Sequence, residues 1–423
     1  MLDKNHLTDL KRRHSEVLKF LDDRVLIVVS GYEKVRNNDV HYDFRQDSTF
    51  NYLTGFPEPD SVALFDADSE SENYVLFVRE RDRFMELWNG FRFGSEGARE
   101  HFKPDEAYTI SQLEEVLLKK LSDRKVVLLC EENHPLEDRL LTLTEGLRRK
   151  TDEEDVIKFI SSLRCVKSEF EIECMREASR ISIEAHHSLM KNAPTSEFEY
   201  NLHADLVHTC MSQGASIMAY PPIVASGLNA TCLHYNSNNK KIDRDGLILV
   251  DAGCEIGGYA ADITRTFPAS GKFTDIQKDC YELVLKAQND VLAKVCPGES
   301  LGSLHATAVD TLVEGLINMG IIKCSHEEAI DKKAYTDYYP HGTGHWLGLD
   351  VHDTGPGKDA QFVEGMAFTV EPGLYFQTYN DKILESYKGI GIRIEDNVVV
   401  TSDGYENLTA KCVKEVRDIE NLS

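Results

Sequence analysis

At 423 residues the chain exceeds one ordinary core, since roughly 100 to 200 residues per domain is usual, and two unequal domains are expected. Acidic residues outnumber basic ones by 72 to 47, and a formal charge of -25 would repel a phosphate backbone or an anionic membrane over most of the surface, which argues against both partners. A hydrophobic fraction of 41% and a charged fraction of 28% are globular values, and no low-complexity tract interrupts them.

The opening stretch, MLDKNHLTDLKRRHSEVLKFLDD, is charged and lacks the apolar run and cleavage site of a secretory signal. Apolar runs elsewhere are strand-sized, so no membrane span is expected. Ten cysteines between Cys130 and Cys412 show no CxxC pair or regular spacing, which argues against disulfides or structural zinc and favours a reducing cytoplasm. In the first third, RVLIVVS from Arg24, SVALF from Ser61, YVLFV from Tyr74 and KVVLLC from Lys125 alternate with helical stretches. That rhythm predicts an α/β domain with a partly buried sheet, assigned to residues 1–165.

A charged stretch from Arg148 to Asp155 precedes a second pattern, assigned to residues 166–423. Ser168 and Glu171 have capping-box spacing, and Ile172, Met175, Ala178, Ile181, Ala185 and Leu189 mark one face of a long helix that Pro194 stops. Thr274 with Gln277 repeats the capping arrangement before a helix expected to end near Pro297 and Gly298. Hairpin-like strands lie between and after these helices.

LILVDAGCEIGGYAADITRTF, from Leu247, reads as strand, turn, strand, with Gly257 and Gly258 supplying the backbone freedom of a tight turn. A turn centred there sets Asp251 opposite Thr264, with Asp262 its diagonal neighbour on the same face, roughly 7 to 8 Å away. Two such carboxylates can share metal ions, although an Asp pair also serves as a solvated edge or turn cap. HGTGHWLGLDVHD, from His341 to Asp353, holds three histidines among glycines that disfavour helix. His345 is the ligand candidate, and packing explains at least one of the others. Glu371 ends the strand AFTV before Pro372-Gly373, as a site carboxylate or a surface turn residue. In GIGIRIEDNVVV, Arg393 and Glu395 share one face; a site role and a structural ion pair are both open.

These four segments, in this order, resemble the metallopeptidase family that contains methionine aminopeptidase, prolidase, Xaa-Pro aminopeptidase and creatinase, whose catalytic fold is called pita-bread. The resemblance implies five metal ligands at Asp251, Asp262, His345, Glu371 and Glu395, none of them replaced. FRQDSTFNYLTGF from Phe44 and ELWNGFRFG from Glu86 are similar to the amino-terminal domain of Xaa-Pro aminopeptidases, which methionine aminopeptidases lack. Creatinase keeps a comparable domain without the ligands. Asp47, where asparagine is common, and Thr343, where leucine is usual, are departures expected to touch no ligand.

The resemblance therefore implies an α/β creatinase-like domain followed by a pita-bread domain. It also implies removal of the first residue from peptides with proline second. Four carboxylates and one imidazole suit Mn²⁺, with Zn²⁺, Co²⁺ or Fe²⁺ as substitutes. By the same resemblance Asp251 serves one of two ions, His345 and Glu371 the other, and Asp262 and Glu395 bridge. The resemblance likewise implies that Glu371 shuttles a proton, that His234 and His352 bind substrate and stabilise the transition state, and that His341, Tyr375 and Arg393 complete the proline side. Related aminopeptidases also place a residue like Trp88 at a neighbouring subunit's entrance, which implies a homodimer or homotetramer; the alternative for Trp88 is packing within its own domain. The competing functions are a dipeptide-only prolidase and a peptide-binding module that has lost activity.

Overall fold

The computed structural model describes residues 4–68, 73–121 and 124–422, so the first three residues of the charged amino-terminal stretch lie outside it. The chain divides into two compact units, Met1–Arg164 and Cys165–Ser423.

The apolar runs of the first unit become one five-stranded sheet, in the order Glu106–Thr109, Tyr74–Val78, Val62–Asp66, Arg24–Val29, Lys125–Leu129. The two outer pairings are parallel and the two inner ones antiparallel. Val62–Asp66 and Tyr74–Val78 are buried at every residue, which is why they read as continuous apolar runs rather than alternating ones. On one face Val25, Ile27, Val62, Leu64, Val75 and Phe77 pack with Leu113 and Leu117 of the helix Leu113–Lys120. The helix Lys4–Leu21 packs against the strands Arg24–Val29 and Val62–Asp66. A helix over Lys150–Cys165 starts inside the charged stretch and closes the unit.

In the second unit the Ser168 hydroxyl accepts from the Glu171 amide and the Glu171 carboxylate accepts from the Ser168 amide, which starts the helix Glu169–Asn192. Its expected face is buried throughout, and it ends at Asn192 with Ala193 as cap, just before Pro194. The helix Asp275–Leu292 also opens on its expected capping box, but it stops at Leu292, short of Pro297 and Gly298. Three short antiparallel sheets hold Asp251, Tyr375 and Arg393 and border Asp262, Glu371 and Glu395: Ile223–Ser226 with Leu247–Asp251 and Thr264–Pro268; Ala367–Val370 with Asp396–Val400 and Tyr405–Asn407; and Gly373–Tyr375 with Gly391–Arg393. Among the described residues no helix is long and apolar enough to cross a membrane.

Candidate metal centre

Gly257 and Gly258 both have positive φ, 60° and 86°, so the turn between the arms is a two-residue turn of the primed kind that glycine favours. Asp251 pairs with Thr264, and the register runs unbroken to Ile256 opposite Tyr259, which sets Asp262 across from Gly253. Alternation then turns Asp251, Asp262 and Thr264 to one face, as the sequence predicts. Gly253 is there because nothing larger fits: an added Cβ would lie 1.8 Å from the Ala261 carbonyl oxygen.

The Tyr220 hydroxyl lies 2.5 Å from Asp251 Oδ1 and 2.5 Å from Asp262 Oδ1. Both aspartates are buried. His345 donates its amide N–H to Thr369 Oγ1 at 3.1 Å. Its Nδ1 stands 3.0 Å from the Trp346 carbonyl, an acceptor only, so Nδ1 carries a proton and Nε2 faces the carboxylates. Nε2 is 3.4 Å from Asp262 Oδ2 and 3.5 Å from Glu371 Oε1. The Glu371 amide donates to the Thr343 carbonyl at 2.8 Å, and Thr369 Oγ1 donates to Glu371 Oε1 at 3.2 Å. Thr343 thus does touch an expected ligand, through its backbone, because the loop pairs with the end of the strand Ala367–Val370; its hydroxyl meets Tyr339 and His305. Asp47, by contrast, caps the helix Ser48–Thr54 in the other unit.

Arg393 and Glu395 are joined through Thr264. Arg393 Nε donates to Thr264 Oγ1 at 3.0 Å, and that hydroxyl donates to Glu395 Oε2 at 2.6 Å. The guanidinium also donates to Asp251 Oδ2 at 2.6 Å and to the Tyr375 hydroxyl at 2.9 Å. His341 Nδ1 donates to the Gly342 carbonyl, which leaves Nε2 to accept from Tyr375 at 2.8 Å. Each donor has one acceptor and no proton is used twice.

Electrostatically the cluster is short of positive charge. Burial pushes Asp251 up to about 6 and Glu371 up to about 7, and it drives Glu395 well above the carboxylate range with the help of its acidic neighbours. Burial acts on Asp262 in the same sense, but contact with His345 outweighs it and holds that carboxyl low. His345 answers in kind: burial opposes its charge, yet Asp262 and Glu371 raise it to about 9. Burial, followed by the charge of Arg393, pushes His341 down to about 3 and keeps it neutral.

Asp251, Asp262, His345, Glu371 and Glu395 all line one cavity of about 440 Å³, together with His234, His341, His352 and Arg393. Ligand atoms of Asp262, His345 and Glu395 lie within 4.8 Å of one another. Four carboxylates, an imidazole whose Nε2 faces them and can give up its proton to a cation, and one nearby guanidinium are a donor set that fits divalent cations. All three histidines of the glycine-rich segment line the cavity, with the His345 and His352 rings 4.4 Å apart edge to face, whereas the sequence reading assigned at least one of them to packing. Tyr375 stands behind the wall, bonded to His341 and Arg393. Trp88 belongs to the amino-terminal unit, on the helix Arg83–Asn89, and is 72% exposed. Tyr220, Thr264, Thr369 and Asn397, whose side-chain oxygen accepts from the Asp262 amide at 2.9 Å, complete the centre without having been picked out as site residues.

Residues 173–402 match metallopeptidase family M24, and residues 10–129 match the aminopeptidase P amino-terminal domain. The chain belongs to metallopeptidase family M24. This M24 chain is 40% identical to a Xaa-Pro aminopeptidase of Haemophilus influenzae, over 97% of its own length and 96% of the relative's. It is 37% identical to the Xaa-Pro aminopeptidase of Escherichia coli, again over 97% and 96%. Its structure superposes on Pseudomonas aeruginosa aminopeptidase PepP with a TM-score of 0.93 at 37% identity, covering 98% of this chain and 97% of that one. Escherichia coli aminopeptidase P in complex with substrate gives 0.92 at 35% identity, covering 98% of each chain. The fold expected from the resemblance, an α/β amino-terminal domain ahead of a pita-bread M24 domain, is the fold observed.

Proposed function

We propose that this M24 metallopeptidase is a Xaa-Pro aminopeptidase, which hydrolyses the bond between the first residue of a peptide and a proline in second place. The observation that carries the reading is the meeting of four carboxylates and His345 in one cavity with three further histidines on its wall. Asp251 would hold one divalent ion, His345 and Glu371 a second, and Asp262 and Glu395 both. The oxygen-rich set favours Mn²⁺, with Zn²⁺, Co²⁺ or Fe²⁺ able to substitute. Such ions supply Lewis acidity at the scissile carbonyl and make water a better nucleophile at neutral pH.

The chain's own groups do the rest. Glu371, fixed by the Thr343 carbonyl and the Thr369 hydroxyl, is the group placed to take the proton of the attacking water and pass it to the leaving nitrogen. His234 and His352 bind the peptide and donate to the developing oxyanion. The His341, Tyr375 and Arg393 chain forms the rigid side against which the proline ring rests. A bond before proline has no N–H to recognise and a ring that obstructs ordinary peptidases, so a shaped wall replaces backbone pairing.

The exposed aromatic helix that carries Trp88 supports a homodimer or homotetramer in which Trp88 borders a neighbouring subunit's entrance. Ten free cysteines support a cytoplasmic location. Metal-loaded protein should release the first residue from Xaa-Pro-Xaa peptides and leave Xaa-Ala-Xaa peptides intact. Cleavage of Xaa-Pro dipeptides alone would indicate a prolidase. Binding without cleavage under Mn²⁺, Zn²⁺ and Co²⁺ would indicate an inactive peptide-binding module.

A further inference from the structure

His234 lines the cavity from an irregular segment between the strands Ile223–Ser226 and Leu247–Asp251. It is exposed, and among the described residues its imidazole has no hydrogen-bond partner. Among the described residues, no hydrogen bond therefore fixes the ring, and its place depends on the backbone that carries it. The next residue, Tyr235, points its hydroxyl away from the cavity to Glu199 Oε2, 2.7 Å distant.

Glu199 is the first residue of the helix Glu199–Ser212 and is fully buried. A buried carboxylate is costly unless its lone pairs are met. Here four donors meet them: the Ser226 amide at 2.9 Å and Asn229 Nδ2 at 2.8 Å on Oε1, with the Tyr235 hydroxyl and the Lys240 amide at 2.9 Å on Oε2. Those donors sit before, within and after the segment that bears His234, so one side chain closes the whole loop onto the helix. The helix start adds a favourable dipole for the same negative charge. None of the four donors belongs to the metal centre. Asn238 fastens the far end independently, accepting from the Val224 amide at 2.9 Å and donating to the Pro222 carbonyl at 2.8 Å.

We infer that Glu199 is a positioning residue for His234, acting through the Tyr235 hydroxyl and the loop amides to fix where the imidazole meets the peptide. The inference rests on His234 serving the reaction as proposed above. Glutamine at position 199 would turn an amide N–H toward donors on one side, and the Lys240 amide cannot reverse its role. Loosening the loop leaves the ligand carboxylates in place and spreads His234 over more positions, which weakens an interaction that depends on orientation.

A double-mutant cycle between Tyr235→Phe and His234→Ala tests this, with kcat and KM on a Xaa-Pro-Xaa peptide, metal content and melting temperature measured for every variant. Tyr235→Phe is expected to keep its metal and to lose about tenfold in kcat/KM, the equivalent of one hydrogen bond to a charged group. In the His234→Ala background the same change should cost less than about twofold, since the imidazole it positions is gone. Glu199→Gln should show the larger loss with the same dependence on His234. An equal Tyr235→Phe penalty in both backgrounds, or none in either, overturns the positioning role while leaving His234 in the reaction. Full activity of His234→Ala overturns the reading of His234 itself, and the inference with it.

Discussion

The Thr264 hydroxyl has one proton, and it points at Glu395 because Arg393 Nε–H, a donor that cannot accept, faces its oxygen. Single atoms of this kind decide how much charge the cavity tolerates. Asp262 and Glu395 are buried among other acids, so replacing either removes a carboxyl group that would hold a divalent ion. Asp262→Asn and Glu395→Gln are each expected to abolish turnover, with metal content by atomic emission falling in parallel; full activity in either purified variant would contradict the two-metal reading. Glu371→Gln separates two duties. If Glu371 moves a proton in the transition state, kcat should fall on the order of a hundredfold to ten-thousandfold with KM little changed. Metal content measured alongside tells a proton-transfer defect from loss of a ligand. Asp251, Asp262, His345, Glu371 and Glu395 stand out in the sequence as polar residues in glycine-rich or strand-end settings, but only the family resemblance joined them into one ligand set. Tyr220 does not stand out, since a tyrosine before two prolines carries no pattern that points it at two aspartates 31 and 42 residues further along the chain.

At the scale of elements, legibility followed local chemistry. The Ser168 and Thr274 caps and the glycine turn at 257–258 are decided within a few residues, and all three form as read. Helix ends were less visible: Asp275–Leu292 stops before any proline or glycine requires it, and the charges from Arg148 to Asp155 hide the start of the helix Lys150–Cys165. Segments fixed by distant partners, such as the loop whose Thr343 carbonyl receives the Glu371 amide, leave no periodic trace. The hairpin makes a sharper demand. Gly253→Ala would set a methyl 1.8 Å from the Ala261 carbonyl oxygen, directly across from Asp262, and the arms must part to admit it. The expected result is a loss of roughly 1 to 3 kcal/mol in stability together with weaker metal retention. Calorimetry beside metal titration checks both, and unaltered metal affinity would mean that the arms do not set the ligand spacing.

The two units differ in what they should reveal to solution experiments. Trp88 is 72% exposed, with Phe84, Leu87 and Phe91 exposed nearby, so Trp88→Ala should move the melting temperature little, surface changes being worth about 0.5 kcal/mol or less. What it should change is mass in solution or the relative cleavage of dipeptides and longer peptides. A monomeric wild type, or a variant identical in both respects, would remove Trp88 from any shared entrance. The same unit carries a half-buried titration site: desolvation lowers His14 from 6.5 to about 4, with its Nε2 2.6 Å from the Leu53 carbonyl and its ring beside Phe65 and Tyr74. Because the folded form binds its proton more weakly than the unfolded chain, stability is complete above pH 6.5 and declines as pH falls toward about 4. Thermal unfolding across that window should show a shallower decline in His14→Gln, which keeps a donor for Leu53 and cannot take up the proton; identical slopes would assign the acid sensitivity elsewhere.

Among the described residues, every side chain that lines the candidate metal cavity comes from the second unit, between Tyr220 and Glu395. The groups proposed to hold an ion or carry a proton are thus written in one stretch of the gene. Recombination could exchange the first 164 residues without altering any of them, so the two stretches can change under separate selection.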